Sequence, residues 1–226
     1  MDKIRKPHQP DEGKCIFTEG IDYFKTDRDS IWGPGDDDTL EVLENVEMRG
    51  KWLNLAAGDG RYNDILLKKA DSVVASDIDA SALSKLWHNT SPDLRERLNI
   101  EIFDITEKFS LEDQSFDGIL CTGTLHLFPR EVLKEICGEI DRILKRGGRL
   151  IIDFATDIKR VSPKGEPVKF GREPNYGIED AKQYLNKLFK QYNVKFRESK
   201  VRESFESSNP PYELNCNFLI MIGSKG

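Results

Sequence analysis

The sequence predicts an α/β fold: a mainly parallel sheet with helices on both faces, finished by an antiparallel hairpin. Three observations predict it. Short apolar runs alternate with helix-patterned segments between residues 51 and 154. A glycine-containing turn joins the first apolar run to the helix after it. Two β-like runs close the chain across a short loop, and strands joined so closely pair antiparallel.

Residues 1–36 read as an N-terminal extension or lid, polar and irregular, with Pro7, Pro10 and the turn Gly33-Pro34-Gly35. Phe17, Tyr23, Phe24 and Trp32 punctuate it, which predicts that it docks on the domain formed by residues 37–226. Asp36-Asp37-Asp38-Thr39 offers an N-cap and an acidic first turn to a helix running to about Met48. Arg49-Gly50-Lys51 breaks that helix. Lys51–Ala56 is a strand, and Arg61–Ala70 a helix carrying Ile65, Leu66 and Leu67. Ser72–Asp77 and Ala80–Asn89 repeat the strand–helix unit. Asn99–Phe103 and Phe116–Cys121 are the third and fourth strands. Arg130–Leu144 has Val132, Leu133, Ile136, Ile140, Ile143 and Leu144 at helical spacing, ended by Gly147-Gly148. Arg149–Phe154 is the fifth strand. Residues 156–177, rich in Gly, Pro and Lys, predict a long functional loop. A helix over Ile178–Tyr192 follows, then strands over Asn193–Phe205 and Glu213–Ser224.

Composition narrows the function. Hydrophobic residues make up 38% and charged residues 33% of the 226 residues, a soluble globular balance. No run approaches the roughly 18 apolar residues of a membrane span. The start, MDKIRKPHQPDEGK, lacks the apolar core of a secretory signal, so a cytoplasmic location is expected. Cys15, Cys121, Cys137 and Cys216 form no Cys-x-x-Cys pair and read as reduced thiols rather than zinc ligands. A net charge of −6 argues against a default nucleic-acid binder. The basic stretch Lys195–Arg202 is interleaved with Glu198 and Glu203 and reads as a solvated strand face.

The chemistry concentrates where the first strand runs into Ala56-Ala57-Gly58-Asp59-Gly60. Glycines at such a turn let a ligand reach the backbone. Asp77 ends the next strand, 19 residues beyond Gly58, where nucleotide-binding α/β folds hold ribose hydroxyls. A dinucleotide fingerprint requires a third glycine, and Asn63 stands there instead. Asp59 repels phosphates and suits a cationic ligand, which favours S-adenosyl-L-methionine.

Lys51–Gly60 resembles the first motif of the class I S-adenosylmethionine-dependent methyltransferases. Val73–Asp79 is similar to their second motif, and Phe103-Asp104-Ile105 to the adenine-contacting segment. Phe116–His126 and Leu144–Ile152 resemble the fourth- and fifth-strand signatures. The resemblance implies a Rossmann-like, doubly wound, three-layer α/β/α domain. It implies that Gly58 and Gly60 line the methionine part of the cofactor, Asp77 the ribose and Ile78 the adenine. Asp104, followed by Ile105, would meet the adenine amino group, and Thr122 and Gly123 the sulfonium. Two positions depart from the pattern. Asn54 replaces an acidic residue, and Ala56 replaces the first glycine, although an ordinary strand φ would tolerate it. His126 is a candidate base, weighed against a core histidine. Asp153 reads as structural, and Tyr23, Arg28 and Trp32 as packing residues or, by analogy with N-terminal lids, substrate-side ones.

The expected acceptor is a small molecule, with no metal, and the chain a monomer or homodimer. An RNA or protein acceptor held by Lys159, Arg160, Lys164, Lys169 and Arg172 is the alternative, as is a cofactor-binding protein without activity. Asn209-Pro210-Pro211-Tyr212 resembles the tetrapeptide of amino-methylating DNA enzymes, but it stands in the closing hairpin rather than after the fourth strand. It reads as a turn.

Overall fold

The structure, a computed structural model, describes residues 23–24, 30–169, 174–205 and 210–226. Helix α1 (Asp37–Asn45) precedes β1 (Lys51–Leu55), α2 (Asn63–Lys69), β2 (Ser72–Asp77), α3 (Ala80–Asn89), the single turn α4 (Pro92–Arg95) and β3 (Leu98–Ile102). Then come β4 (Phe116–Cys121), a 3₁₀ turn (Leu125–Leu127), α5 (Arg130–Ile143), β5 (Leu144–Val161), α6 (Ile178–Leu188), β6 (Tyr192–Phe205) and β7 (Tyr212–Lys225). The seven strands lie in the order β3-β2-β1-β4-β5-β7-β6. Pairing is parallel from β3 to β5 and antiparallel from β5 through β7 to β6. The predicted Rossmann-like architecture is therefore the observed one.

Burial explains the strands. β1, β2 and β4 are inner strands covered on both faces, so they are apolar almost throughout. One face packs Leu53, Ile119, Ile152 and Phe154 against α5 and α6. The other packs Trp52, Val73, Leu120 and Ile151 with residues of α1, α2 and α3. Trp52 requires its neighbour to be glycine: a Cβ on Gly118 would lie 2.2 Å from the indole. Edge strand β6 carries Lys195, Arg197, Lys200 and Arg202 among acids, charges that discourage further strand pairing.

Several boundaries differ from the sequence expectation, each for a local reason. Helix α1 stops at Asn45 rather than near Met48, because Val46 turns extended and Met48 enters the core. Asp36 does not cap it; its carboxylate accepts from the Tyr62 hydroxyl at 2.8 Å instead. Helix α5 ends at Ile143, and Leu144 passes directly into β5, so Gly147-Gly148 lie within that strand and do not end the helix. The foreseen loop over 156–177 is strand as far as Val161. Asp157, at φ 51, makes a bulge there. Its amide donates to Tyr176 O, and its carboxylate accepts from the Ile178 amide and Asn217 Nδ2. In the sheet extension the Arg160 guanidinium lies over the Tyr212 ring, 6.0 Å from its centroid. Helix α6 ends at Leu188 rather than Tyr192, which opens β6. Of the Asn-Pro-Pro-Tyr segment, Asn209 lies outside the described residues, Pro210 and Pro211 precede β7, and Tyr212 begins it. Among the described residues, no helix is long and apolar enough to cross a membrane.

Candidate functional site

The strand order reverses between β1 and β4, and in open α/β sheets the ligand crevice opens there, beyond the strands' carboxyl ends. The chain leaves β1 through Ala56 and leaves β4 through Thr122, so two turns face each other across the switch point.

In the β1 turn, Ala56, Gly58 and Gly60 all have positive φ, at 55°, 53° and 98°. Ala56 is therefore not in the ordinary strand conformation foreseen for it. It holds a left-handed backbone that costs a side-chain-bearing residue about 1 kcal/mol. The two glycines serve different ends. A Cβ on Gly60 would lie 2.9 Å from Leu86, so Gly60 lets α3 pack close. A Cβ on Gly58 would meet only Trp32 Nε1, at 3.9 Å, which leaves its face open to a ligand. Asp77 ties β2 to this turn, accepting from the Gly58 amide at 2.9 Å and the Asp79 amide at 3.0 Å. Burial raises its pKa above the usual carboxylate value, and these N–H groups pull it back. Ile78 follows, half-buried.

Asp59 behaves differently from the expectation that it faces a cationic ligand. It is 1% exposed, accepts from Ser30 Oγ and the Ile31 amide at 2.6 Å each, and lies 3.6 Å from Lys85 Nζ. Its charge is directed inward. It straps residues 30–32 across the turn and neutralises a lysine on the buried face of α3. Trp32, held by this strap, remains 48% exposed beside Gly58. Tyr23 docks nearby: it is buried, and burial, helped by Asp79, Asp77 and Asp59, raises the pKa of its phenol. Arg28 lies outside the described residues.

Asn54 is also turned inward, its Nδ2 donating to Asn63 Oδ1 at 3.3 Å. Asp104 receives the Thr106 amide and hydroxyl on one oxygen, the geometry of a turn former, while Ile105 packs in the core. Across the crevice, a Cβ on Gly123 would meet nothing within 4 Å. Its amide donates at 2.5 Å to Asp153, which is buried in β5. His126 is buried edge-on to Phe154. Its Nδ1 has no partner among the described residues, and burial with the nearby Arg160 lowers its pKa to about 4. A neutral imidazole of that acidity is a poor proton acceptor.

The structure thus brings Gly58, Asp77, Ile78, Thr122 and Gly123 to one crevice, and turns Asn54 and Asp59 into its scaffold. A cleft of about 270 Å³ opens at the opposite end of the sheet, by Arg49, Trp52, Asp117 and Lys145. Its Lys145 is paired with Asp117 and its Arg49 with Glu47, and it lies away from the switch point.

Residues 53–152 match the family model of the methyltransferase domain. Over that span the chain is similar to the methyltransferase-domain family. The chain is 27% identical over 154 residues to phosphoethanolamine N-methyltransferase 1 of Triticum aestivum. That match covers 66% of this chain and spans only 30% of the wheat protein. Protein BH2331 of Bacillus halodurans C-125 is similar in structure, with a TM-score of 0.65 at 14% identity, covering 83% of this chain and 97% of that one. DhpI, solved with S-adenosylhomocysteine, gives a TM-score of 0.57 at 18% identity, covering 83% of this chain and 82% of its own. At these identities the structural likenesses share the fold.

Sequence reasoning missed Lys85, Ser30 and the connection from Asp153 to Gly123. Lys85 left a trace, since it stands on the apolar face of α3 with Ala82, Leu83 and Leu86, and a buried lysine calls for a carboxylate. No signal in the sequence pairs Asp153 with residue 123.

Proposed function

We propose that this chain transfers the methyl group of S-adenosylmethionine, in line, to a nucleophilic atom of a small-molecule acceptor. The reading rests on one observation: two glycines with open faces, Gly58 and Gly123, stand on opposite sides of the switch point, with Asp77 anchored behind the first. The residues present fit the cofactor. Gly58 lets its methionine part approach the backbone, Asp77 accepts from the ribose hydroxyls, and Ile78 packs on the adenine with Asp104 at its edge. Thr122 and Gly123 meet the sulfonium end, and Trp32 covers the turn. The cofactor supplies an already electrophilic methyl group. The protein's tasks are then to orient the acceptor and exclude water, and His126, the base candidate among the described residues, is held neutral by burial.

A small acceptor is favoured by the wheat relative, whose name gives it a small phosphorylated amine. It is also favoured by the chain's net charge of −6. Lys159 and Arg160 stand in strand β5 rather than in a free loop, and Arg172 lies outside the described residues. The test is transfer of radiolabelled methyl from S-adenosylmethionine to panels of small amines, alcohols and thiols, with total RNA and protein in parallel. Label in a small-molecule panel is expected. Label only in RNA or protein, or in no panel despite cofactor binding, would overturn the reading.

A further inference from the structure

Two carboxylates are buried among the described residues, and their surroundings differ. Asp59 has two hydrogen-bond donors and a lysine. Asp153, 2% exposed in the middle of the sheet, has one described donor, the Gly123 amide at 2.5 Å. A carboxylate buried so sparingly is costly, and here its single bond reaches the turn that closes β4 at the crevice. That turn is slight. Gly123 sits at φ 63°, Thr124 Oγ1 donates to Thr122 O at 2.9 Å, and the Leu127 amide donates to Thr124 O at 3.0 Å. The bond to Asp153 sets the direction of the Gly123 amide plane, and with it the open face of that glycine.

We propose that Asp153 is a positioning residue for methyl transfer, its carboxylate holding the Thr122-Gly123-Thr124 turn against the methyl-donor end of the cofactor. The proposal rests on the cofactor placement argued above. Charge strengthens the grip, because a hydrogen bond to an ionised acceptor is worth roughly 1 kcal/mol more than one to a neutral acceptor. Burial raises the carboxyl to about 7, so its ionisation falls in the neutral range. The charged groups facing it come from the opposite layer: Asp36, before α1, raises its pKa, and Arg61, before α2, lowers it. Tyr62 and Cys121 also feel its charge, but both are pushed above their ordinary values and stay protonated through this range. Above neutrality the turn is held by a full charge; below it, by a neutral carboxyl.

The experiment uses the full chain labelled with ¹⁵N-glycine and calorimetric titration with S-adenosylmethionine between pH 6 and pH 8. In the wild type, the Gly123 amide resonance should shift with a midpoint near pH 7, and the ligand should bind about fivefold more tightly at pH 8 than at pH 6. Asp153→Asn keeps an oxygen for the Gly123 amide but cannot ionise. It should fold, bind with an affinity near the wild-type value at pH 6, and lose both pH dependences. Asp153→Leu, checked for folding by circular dichroism, should bind more weakly at every pH. Wild-type binding that is tight yet pH-independent, or Asp153→Asn retaining the wild-type profile, would overturn the proposal while leaving the cofactor reading intact. Absence of any binding by the wild type would instead overturn the cofactor reading.

Discussion

The two turns that face each other across the switch point are built on opposite plans. The β1 turn is held from several directions, by Asp77 from β2, by the Asp59 strap to residues 30–31 and by close packing of Gly60 on Leu86. Among the described residues the β4 turn has one anchor from a neighbouring strand, Asp153, and an uncharged histidine after it. On the cofactor placement proposed above, the β1 turn is a pre-organised cradle for the methionine and ribose parts, and the β4 turn offers an open glycine face to the methyl-donor end.

Breaking the better-built side should have the largest effect. Asp59→Ala leaves Lys85 buried without a counter-charge and frees the strap, and it should destabilise the fold by about 3–5 kcal/mol in urea unfolding. Adding Lys85→Met should recover a good part of that loss, since the uncompensated charge is then gone. A double variant no more stable than the single one would show that the strap, and not the ion pair, carries the energy.

The weaker side predicts an effect of opposite sign. Asp153 has a folded pKa raised to about 7 from an unfolded value near 4. The folded state therefore holds the proton more tightly, and the wild type should lose stability as pH climbs from about 4 to about 7. Asp153→Asn removes that slope and should be the more stable protein at pH 8, by a margin on the order of 2–3 kcal/mol that closes toward pH 4. Parallel stability curves for the two proteins would refute the buried-charge account.

Smaller still, Asp77→Ala should weaken S-adenosylhomocysteine binding by about 10- to 100-fold through loss of charge-assisted bonds to the ribose. Calorimetry with the corresponding deoxyribose analogue should show little further loss. Smallest is Ala56→Gly, which relieves the left-handed backbone and should stabilise the fold by about 0.5–1 kcal/mol in thermal unfolding. A destabilised Ala56→Gly would mean that the turn carries no strain there.

The same asymmetry decides what could be read in the sequence. β1, β2 and β4 were legible because inner parallel strands are apolar on both faces. Gly58 and Asp77 were legible because backbone approach and ribose binding each demand a residue type at a set spacing. The direction in which Asp59 points was not, since the loop that receives it comes from residues 30–31, remote in sequence. The φ of Ala56 was hidden for a different reason: an alanine gives no sign of a left-handed turn. The strand over 156–161 was masked by Lys159 and Arg160 and by the Asp157 bulge. Asp153 was read as structural, because its one bond crosses from β5 to the β4 turn and depends on a register that only the folded sheet sets.

The most direct test of the cofactor placement is the ¹⁵N-glycine spectrum of the full chain during titration with S-adenosylhomocysteine. Gly58 and Gly123, on opposite turns of the switch point, should shift together and saturate with one affinity. Gly147 and Gly148, at the far end of the sheet beside the Lys145 cleft, should stay in place. Shifts at Gly147 and Gly148 with Gly58 and Gly123 unmoved would contradict the account.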